Sequence, residues 1–217
     1  MSILRPLTLD GGIARLIQQG DVVAGAEVIP TTIATNAITI TGAQLGSGII
    51  QRTTTGVGTD TIDSAANIIS AISGGAGLHS IQSGTTWRCK WIQNAAFAIT
   101  VQATANTGVT VTSGTVNASS VKDFLVTVVN GTPASSVQAT TVNGSAVISG
   151  LTAAQCAAIT VGMIVTNAVA NLQGQTVIAV NGSSGTVTLS GNANATNTNP
   201  VSVNFSPVIT VAGIGQG

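Results

Sequence analysis

The chain is sparing with groups that can do chemistry. Among its 217 residues there are six Lys or Arg, six Asp or Glu and one histidine, His79. Asp60 and Asp63 are the carboxylates closest together in sequence. Paired carboxylates serve glycoside hydrolysis, which also needs a cleft with aromatics to stack the sugar. The surrounding run, Gly56-Val57-Gly58-Thr59-Asp60-Thr61-Ile62-Asp63-Ser64, contains no aromatic residue, so Asp60 reads as a loop residue and Asp63 as a helix cap. A single histidine leaves no multi-histidine metal site and no redundant Ser-His-Asp set within one chain. Only copies of His79 gathered on a symmetry axis would bring several imidazoles together. Cys89 lies between Trp87 and Trp91, and a thiol among apolar neighbours is core material rather than a nucleophile. The many glycines form neither a GxxxxGK[ST] phosphate loop nor a strand-GxGxxG-helix unit. The expectation is a protein without catalytic, cofactor-binding or metal-binding residues, and not an enzyme. The remaining candidates are cations that could contact a partner: Arg5, Arg15, Arg88, Lys90 and Lys122. Arg88, Lys90 and Lys122 form a basic patch if residues 87–91 pair with residues 121–128. Such a patch would either touch an acidic neighbour or be the solvated face of two strands.

The bulk composition narrows the class further. Net charge is +0, 6% of residues are charged and 44% are hydrophobic, the reverse of the disorder signature. A neutral balance excludes a nucleic-acid groove, which needs clustered Lys and Arg against phosphates. Mean hydropathy is +0.50, yet Thr, Ser, Asn or Gly cuts every apolar run well short of the ~20 residues that span a bilayer. The opening MSILRPLTLDGG lacks a basic region followed by an apolar block, so no secretory leader is expected and the two cysteines are expected to be buried thiols. The charges are unevenly spread: the last is Asp123, and residues 124–217 contain no Lys, Arg, Asp, Glu or His. An independent soluble domain carries charge on roughly a quarter or more of its surface. A chargeless half suits a module held on a larger assembly, or a rigid β-surface facing outward.

These residues must be positioned by β-structure. The best core material is concentrated in residues 87–129, where both Trp and two of the three Phe lie. Trp87, Cys89 and Trp91 alternate with Arg88 and Lys90, and the period of two continues through Phe97-Ile99-Val101, Val109-Val111 and Phe124-Val126-Val128. Upstream, residues 37–41 and 46–50 read as strands. Ala65, Ile68, Ile69 and Ile72 line one face of a helix over 64–72, capped by Asp63 or Ser64 and ended by Gly74-Gly75-Ala76-Gly77. Downstream, Asn143-Gly144 and Asn181-Gly182 predict type I′ hairpins. Thr152-Ala153-Ala154-Gln155 has capping-box spacing, and residues 161–165, 175–180, 185–189 and 201–205 read as strands. Pro200 and Pro207 bracket the last of these, which suggests an edge or terminal position. The predicted class is all-β: two small antiparallel β-sandwich or barrel domains with an extended N-terminal arm and one or two short helices. The arm covers residues 1–35, with Asp10-Gly11-Gly12 as a turn and Ile13, Leu16 and Ile17 on a short helix or strand. The anchoring domain covers 36–133, a linker follows at 134–136, and a projecting domain covers 137–217. Its tail from Val208 could add a strand across a subunit boundary.

Two stretches carry a resemblance. Ile38 through Arg52, Thr59-Asp60-Thr61, Ala65-Ala66-Asn67-Ile68-Ile69, Trp87-Arg88, Phe97 and Asp123-Phe124 resemble a β-domain of tailed-bacteriophage virion proteins. Gly150-Leu151-Thr152, Val161-Gly162-Met163-Ile164-Val165, Thr176-Val177-Ile178-Ala179-Val180 and Thr188-Leu189-Ser190 look like a small module of phage tail-fibre, adhesin and decoration proteins. Here Asn167-Ala168 stands at the module's small-Gly turn, and Gln175 stands before Thr176 where another residue is usual. The resemblance implies a virion surface protein of the capsid decoration (cement) type. It would be made in the host cytoplasm, form a homotrimer, bind the major capsid protein, and need neither nucleic acid nor membrane. The alternative is a tail-fibre or baseplate protein that attaches to host surface glycans.

Overall fold

The computed structural model describes residues 32–73, 81–167 and 172–216, together with the backbone of 7–10 and 13–16. The described residues are mostly β-strand, with three short helices among them. Strands β1 (Leu7–Asp10) and β2 (Ile13–Leu16) form an antiparallel hairpin within the arm, closing on the pair Asp10–Ile13. The arm residues Ile13 and Leu16 therefore lie on a strand and not on a helix. The Gly11-Gly12 turn and the Gly74–Gly77 helix end fall outside the described residues.

The first unit is a sandwich of two sheets. Its elements in chain order are β3 (Thr32–Ile33), β4 (Ala37–Ile40), α1 (Gly42–Gly46), β5 (Ile49–Arg52), β6 (Gly58–Ile62), α2 (Ala65–Ile72), β7 (Thr86–Gln93), β8 (Ile99–Ala103), β9 (Val109–Thr112), β10 (Thr115–Val116) and β11 (Ser120–Asn130). One sheet has the order β10-β8-β6-β4. The other begins β3-β5-β7-β11 and is completed by a strand from the far end of the chain. Alternation decides which face is buried. Cys89 and Trp91 of β7 and Phe124, Val126 and Val128 of β11 point inward, against Ile40, Ile62, Ile99 and Val101 of the opposite sheet. Trp91 and Phe124 meet edge to face, 5.3 Å apart. Helix α1 begins on a complete capping box: Thr41 Oγ1 accepts from the Gln44 N–H at 3.3 Å, and Gln44 Oε1 accepts from the Thr41 N–H at 2.9 Å. Helix α2 is capped by Ser64, with Asp63 Oδ1 accepting from the Ser64 N–H and from Asn67 Nδ2. The two helices pack closely because residue 42 is glycine; a Cβ there would stand 2.6 Å from the Ile68 Cα.

The second unit has its own buried core, with Val137, Ile148, Met163, Val165, Val177, Val187, Leu189, Val203 and Phe205 among its members. Its elements are β12 (Ser135–Thr141), β13 (Val147–Ile148), α3 (Ala153–Ala157), β14 (Ile164–Asn167), β15 (Val177–Asn181), β16 (Thr186–Leu189) and β17 (Asn197–Ser206). They form two three-stranded sheets, β12-β17-β14 and β13-β16-β15. Thr152 and Gln155 form the expected capping box at α3. The turns differ from the two-residue hairpins read from the sequence. Asn181 pairs with Thr186, and Asn181 Oδ1 accepts from the Ser183 and Ser184 N–H groups; the positive φ falls on Gly185. At Asn143-Gly144 only the glycine has positive φ. An asparagine that bonds its own downstream backbone makes an Asx turn, which competes with type I′ geometry.

Tertiary pairing revises four further expectations. The last strand, β18 (Val208–Gln216), does not extend the second unit. It pairs antiparallel with β11 and parallel with β9, completing the six-stranded sheet β3-β5-β7-β11-β18-β9 of the first unit. The second unit is thus an insertion between two neighbouring strands, with Asn130 and Val208 in register at its base. There is also no free linker, since Ser135 and Ser136 already pair with Phe205 and Asn204. Strand directions in the first unit are mixed: β3–β5, β5–β7, β4–β6, β6–β8 and β18–β9 are parallel. Finally, β17 is the central strand of its sheet and not an edge. Pro200 is accommodated because β14 pairs only with residues 204–206 of β17, and the β12 ladder shifts register between Ala139 and Thr141.

Candidate functional site

The most concentrated chemistry in the described residues is buried in the first sandwich. Arg52 ends β5 on the same inward face as Ile50, and Asp60 lies on the inward face of β6 between Gly58 and Ile62. Both are fully buried. Arg52 Nε and Nη2 donate to the two carboxylate oxygens of Asp60 at 2.9 and 2.8 Å. Nη1 and Nη2 also donate to the Ile33 and Thr35 carbonyls at 2.8 and 2.6 Å. The pair is therefore forked, and it ties β3, β5 and β6 together across both sheets. Burial pushes the Asp60 carboxyl upward. The bonds and charge of Arg52 oppose this, as do the nearby Trp91 indole and the Ile38 backbone. Gln93 adjoins Arg52 in register, and its Nε2 donates to Thr54 Oγ1 at 2.8 Å and to the Phe97 carbonyl at 2.6 Å. Gln93 Oε1 and Trp91 Nε1 are buried without a partner in hydrogen-bonding geometry.

Asp60 is therefore a strand residue in an ion pair and not a loop residue, whereas Asp63 is, as read, at a helix start. The Arg52–Asp60 pair is absent from the sequence-based candidates. Its signal was the strand period, which places Arg52 on the face of Ile50 and Asp60 on that of Ile62. This arrangement is structural in character, because four of the five guanidinium N–H donors are already taken by protein oxygen.

The cation candidates separate. Strands β7 and β11 do pair, with Arg88 opposite Leu125, Lys90 opposite Asp123 and Trp91 opposite Lys122. Arg88 and Lys90 are exposed on the outer face of the six-stranded sheet. Lys122 is not part of that patch. It belongs to the inward row, is 8% exposed, donates to the Thr115 carbonyl at 2.7 Å and lies 5.8 Å from the centre of the Phe124 ring. One residue of offset on a strand reverses the face. Arg5 and the side chain of Arg15 lie outside the described residues, as does His79. Cys89 is buried and its thiol is pushed up to about 12, first by burial and then by the Asp123 charge. Cys156 is a second buried free thiol. Among the described residues no group of three or more His, Cys, Asp or Glu could hold a metal ion, and no helix is long and apolar enough to cross a membrane.

The outer surfaces are hydroxyl- and amide-rich. On the six-stranded sheet a row of threonines, Thr86–Thr127–Thr210–Thr110, runs across four strands. On the second unit Ser136 Oγ donates to Asn204 Oδ1 at 2.6 Å, with Ser202 alongside. Apolar side chains emerge singly among these polar rows, as at Val57, Val142, Val161 and Ile178. Two shallow hollows accompany them. One of about 210 Å³ is lined by Ile33, Ala43, Gln44, Ser47, Ile49 and Ile50. The other, of about 160 Å³, is lined by Ile92, Gln93, Asn94, Ser119, Ser120 and Val121. Neither gathers acid, base and nucleophile.

No protein-family model, no curated protein and no solved structure matches the chain.

Proposed function

We propose that the chain is a non-enzymatic structural protein of a bacteriophage virion, a capsid decoration protein that stabilises the head by bridging copies of the major capsid protein. The observation that carries this reading is the polarity of charge along β11. The arm joins the six-stranded sheet through β3, whose neighbours in register are Gln51 and Arg52. That row continues through Ile92 and Gln93 to the start of β11. The second unit hangs from the other end of β11, at Asn130. Nine residue steps of strand put the two ends ~30 Å apart. Every charge in the chain lies in the arm or the first unit, and the unit at the far end has none. A free protein needs surface charge to stay dispersed, whereas subunits crowded on a lattice are spaced by the lattice and gain nothing from mutual repulsion. The arm and first unit are accordingly the anchoring part, and the uncharged second unit projects. Binding is cohesive: bridging two capsomers buries an interface of roughly 1,000 Å² or more, and a homotrimer would place one such contact on each of three neighbours.

The test is co-sedimentation with capsids that lack the protein. The full chain is expected to bind and to raise the temperature at which capsids burst. A chain lacking residues 1–31 is expected to stay folded and fail to bind. Undiminished coating by the truncated chain would remove the arm from the mechanism. Bare capsids together with specific binding to a glycan array would replace this reading with tail attachment.

A further inference from the structure

The triplet Val-Asn-Gly occurs three times, at residues 129–131, 142–144 and 180–182, and no other asparagine of the chain precedes a glycine. An asparagine in this setting modifies itself. The glycine backbone nitrogen attacks the side-chain carbonyl carbon Cγ and loses its proton, and Nδ2 departs as ammonia to leave a cyclic succinimide. Water then opens the ring at either carbonyl, giving aspartate or isoaspartate. Glycine permits the attack because no Cβ shields its nitrogen. The three triplets are identical, so an unfolded chain would convert them at nearly equal rates. Only the fold ranks them.

The fold holds two of the three. Asn130 is buried, with Nδ2 donating to Thr160 Oγ1 and the Val161 carbonyl and Oδ1 accepting from the Thr132 N–H. The Gly131 N–H donates to Ser83 Oγ at 3.1 Å, so electrophile, leaving group and nucleophile are all restrained. Asn143 is exposed, but the Gly144 N–H donates to the Ala193 carbonyl at 2.8 Å. That nitrogen must give up a short hydrogen bond before it can attack. Asn181 is the open case. Residues 181–184 are all exposed, and the Gly182 N–H has no hydrogen-bond partner among the described residues. Asn181 Oδ1 accepts from the Ser183 and Ser184 N–H groups at 3.1 and 3.2 Å. This Asx turn folds the side-chain carbonyl over the peptide that supplies the attacking nitrogen. The same two donors stabilise the negative charge that Oδ1 gains as the nitrogen adds.

We infer that Asn181-Gly182 is a site of spontaneous covalent modification, at which the Gly182 nitrogen closes on Asn181 Cγ and hydrolysis leaves aspartate or isoaspartate at position 181. Residues 124–217 are synthesised without a charged side chain, so the product is the first ionised group in the second unit. The change is timed by the protein's own geometry and needs only water. It holds or fails independently of a virion role.

The experiment is incubation of the intact native protein in mildly alkaline buffer, followed by peptic digestion and electron-transfer mass spectrometry, which separates aspartate from isoaspartate. Pepsin replaces trypsin because no Lys or Arg follows Lys122. Conversion at 181 is expected to be severalfold faster than at 143, with 130 the slowest. In denaturant the three rates should converge. The variant Gly182→Ala should slow conversion at 181 severalfold and leave the circular dichroism spectrum and the rate at 143 unchanged. Its Cβ meets only Cys156 Cβ, at 3.9 Å, and residue 182 does not have a positive φ. Conversion at 143 or 130 that matches 181 in the native protein, or an unmodified Asn181, overturns the inference. So does a ranking that persists in denaturant, which would belong to the sequence and not to the fold.

Discussion

At the scale of single residues, the fold's most consequential polar contact is the Arg52–Asp60 pair. Its value is asymmetric. Two charges removed from water recover that loss only through each other and through the Ile33 and Thr35 carbonyls. Removing one partner strands a buried charge, which costs ~3–5 kcal/mol, whereas replacing both by apolar residues of similar volume is often close to neutral. Asp60→Asn and Arg52→Met are therefore each expected to lower the unfolding free energy by that amount, and Arg52→Met/Asp60→Leu by clearly less than their sum. Denaturant titrations followed by tryptophan fluorescence measure this, because both tryptophans lie in the first unit. Additive losses would show that the two side chains do not depend on each other.

At the scale of elements, β18 carries the greatest dependence. It fills the sheet position between β11 and β9 and brings Ile209 and Val211, both fully buried, into the first unit's core. Its backbone meets β11 over eight register pairs. A chain ending at residue 207 would keep every residue of the second unit's core yet leave β11 with an open edge and the first core without those side chains. Loss of two such side chains costs several kcal/mol, a large share of the stability of an ordinary domain. The expected outcome is a protein whose second unit remains folded while the tryptophan spectrum becomes that of exposed indole. If the tryptophans remained buried, the first unit would be closed without β18.

At the scale of the whole molecule, the two units share a small junction. Asn130 Nδ2 donates to Thr160 Oγ1 and to the Val161 carbonyl at 3.0 and 2.9 Å, and the Thr132 and Thr160 hydroxyls meet at 2.6 Å. Their responses to pH should differ. Stability changes with pH only where folded and unfolded states bind different numbers of protons. Between residues 134 and 207 there is no carboxylate or imidazole side chain to make such a difference from pH 3 to 7. Thermal unfolding of the full chain is expected to show a second-unit transition, seen by circular dichroism, that stays fixed over that range while the fluorescence transition of the first unit moves. Two transitions that moved together would mean that the junction couples the units into one folding unit.

Much of this organisation was legible in the one-dimensional chain. The period of two identified the inward rows of β7 and β11, the Thr-x-x-Gln spacing marked the start of α3, Ser64 marked that of α2, and the all-β class followed from short apolar runs between turn residues. These signals are local, because alternation and capping depend on neighbours within a few positions. Partner choice is not local. Nothing in Val208 to Gln216 distinguishes a strand added to the second unit from one that returns to β11, since both offer an apolar face. By contrast, the burial of Lys122 was legible, since it stands two residues before Phe124 in the inward row of β11, so the basic patch drawn with Arg88 and Lys90 disagreed with the alternation itself. The Arg52–Asp60 pair needed β5 and β6 to be placed in facing sheets before a cation and a carboxylate eight positions apart could meet. The sequence by itself determined strand content, the inward faces and the confinement of charge to the first 123 residues. Only the tertiary structure decided which strands share a sheet and which charges are already satisfied, because those depend on contacts between residues far apart in the chain.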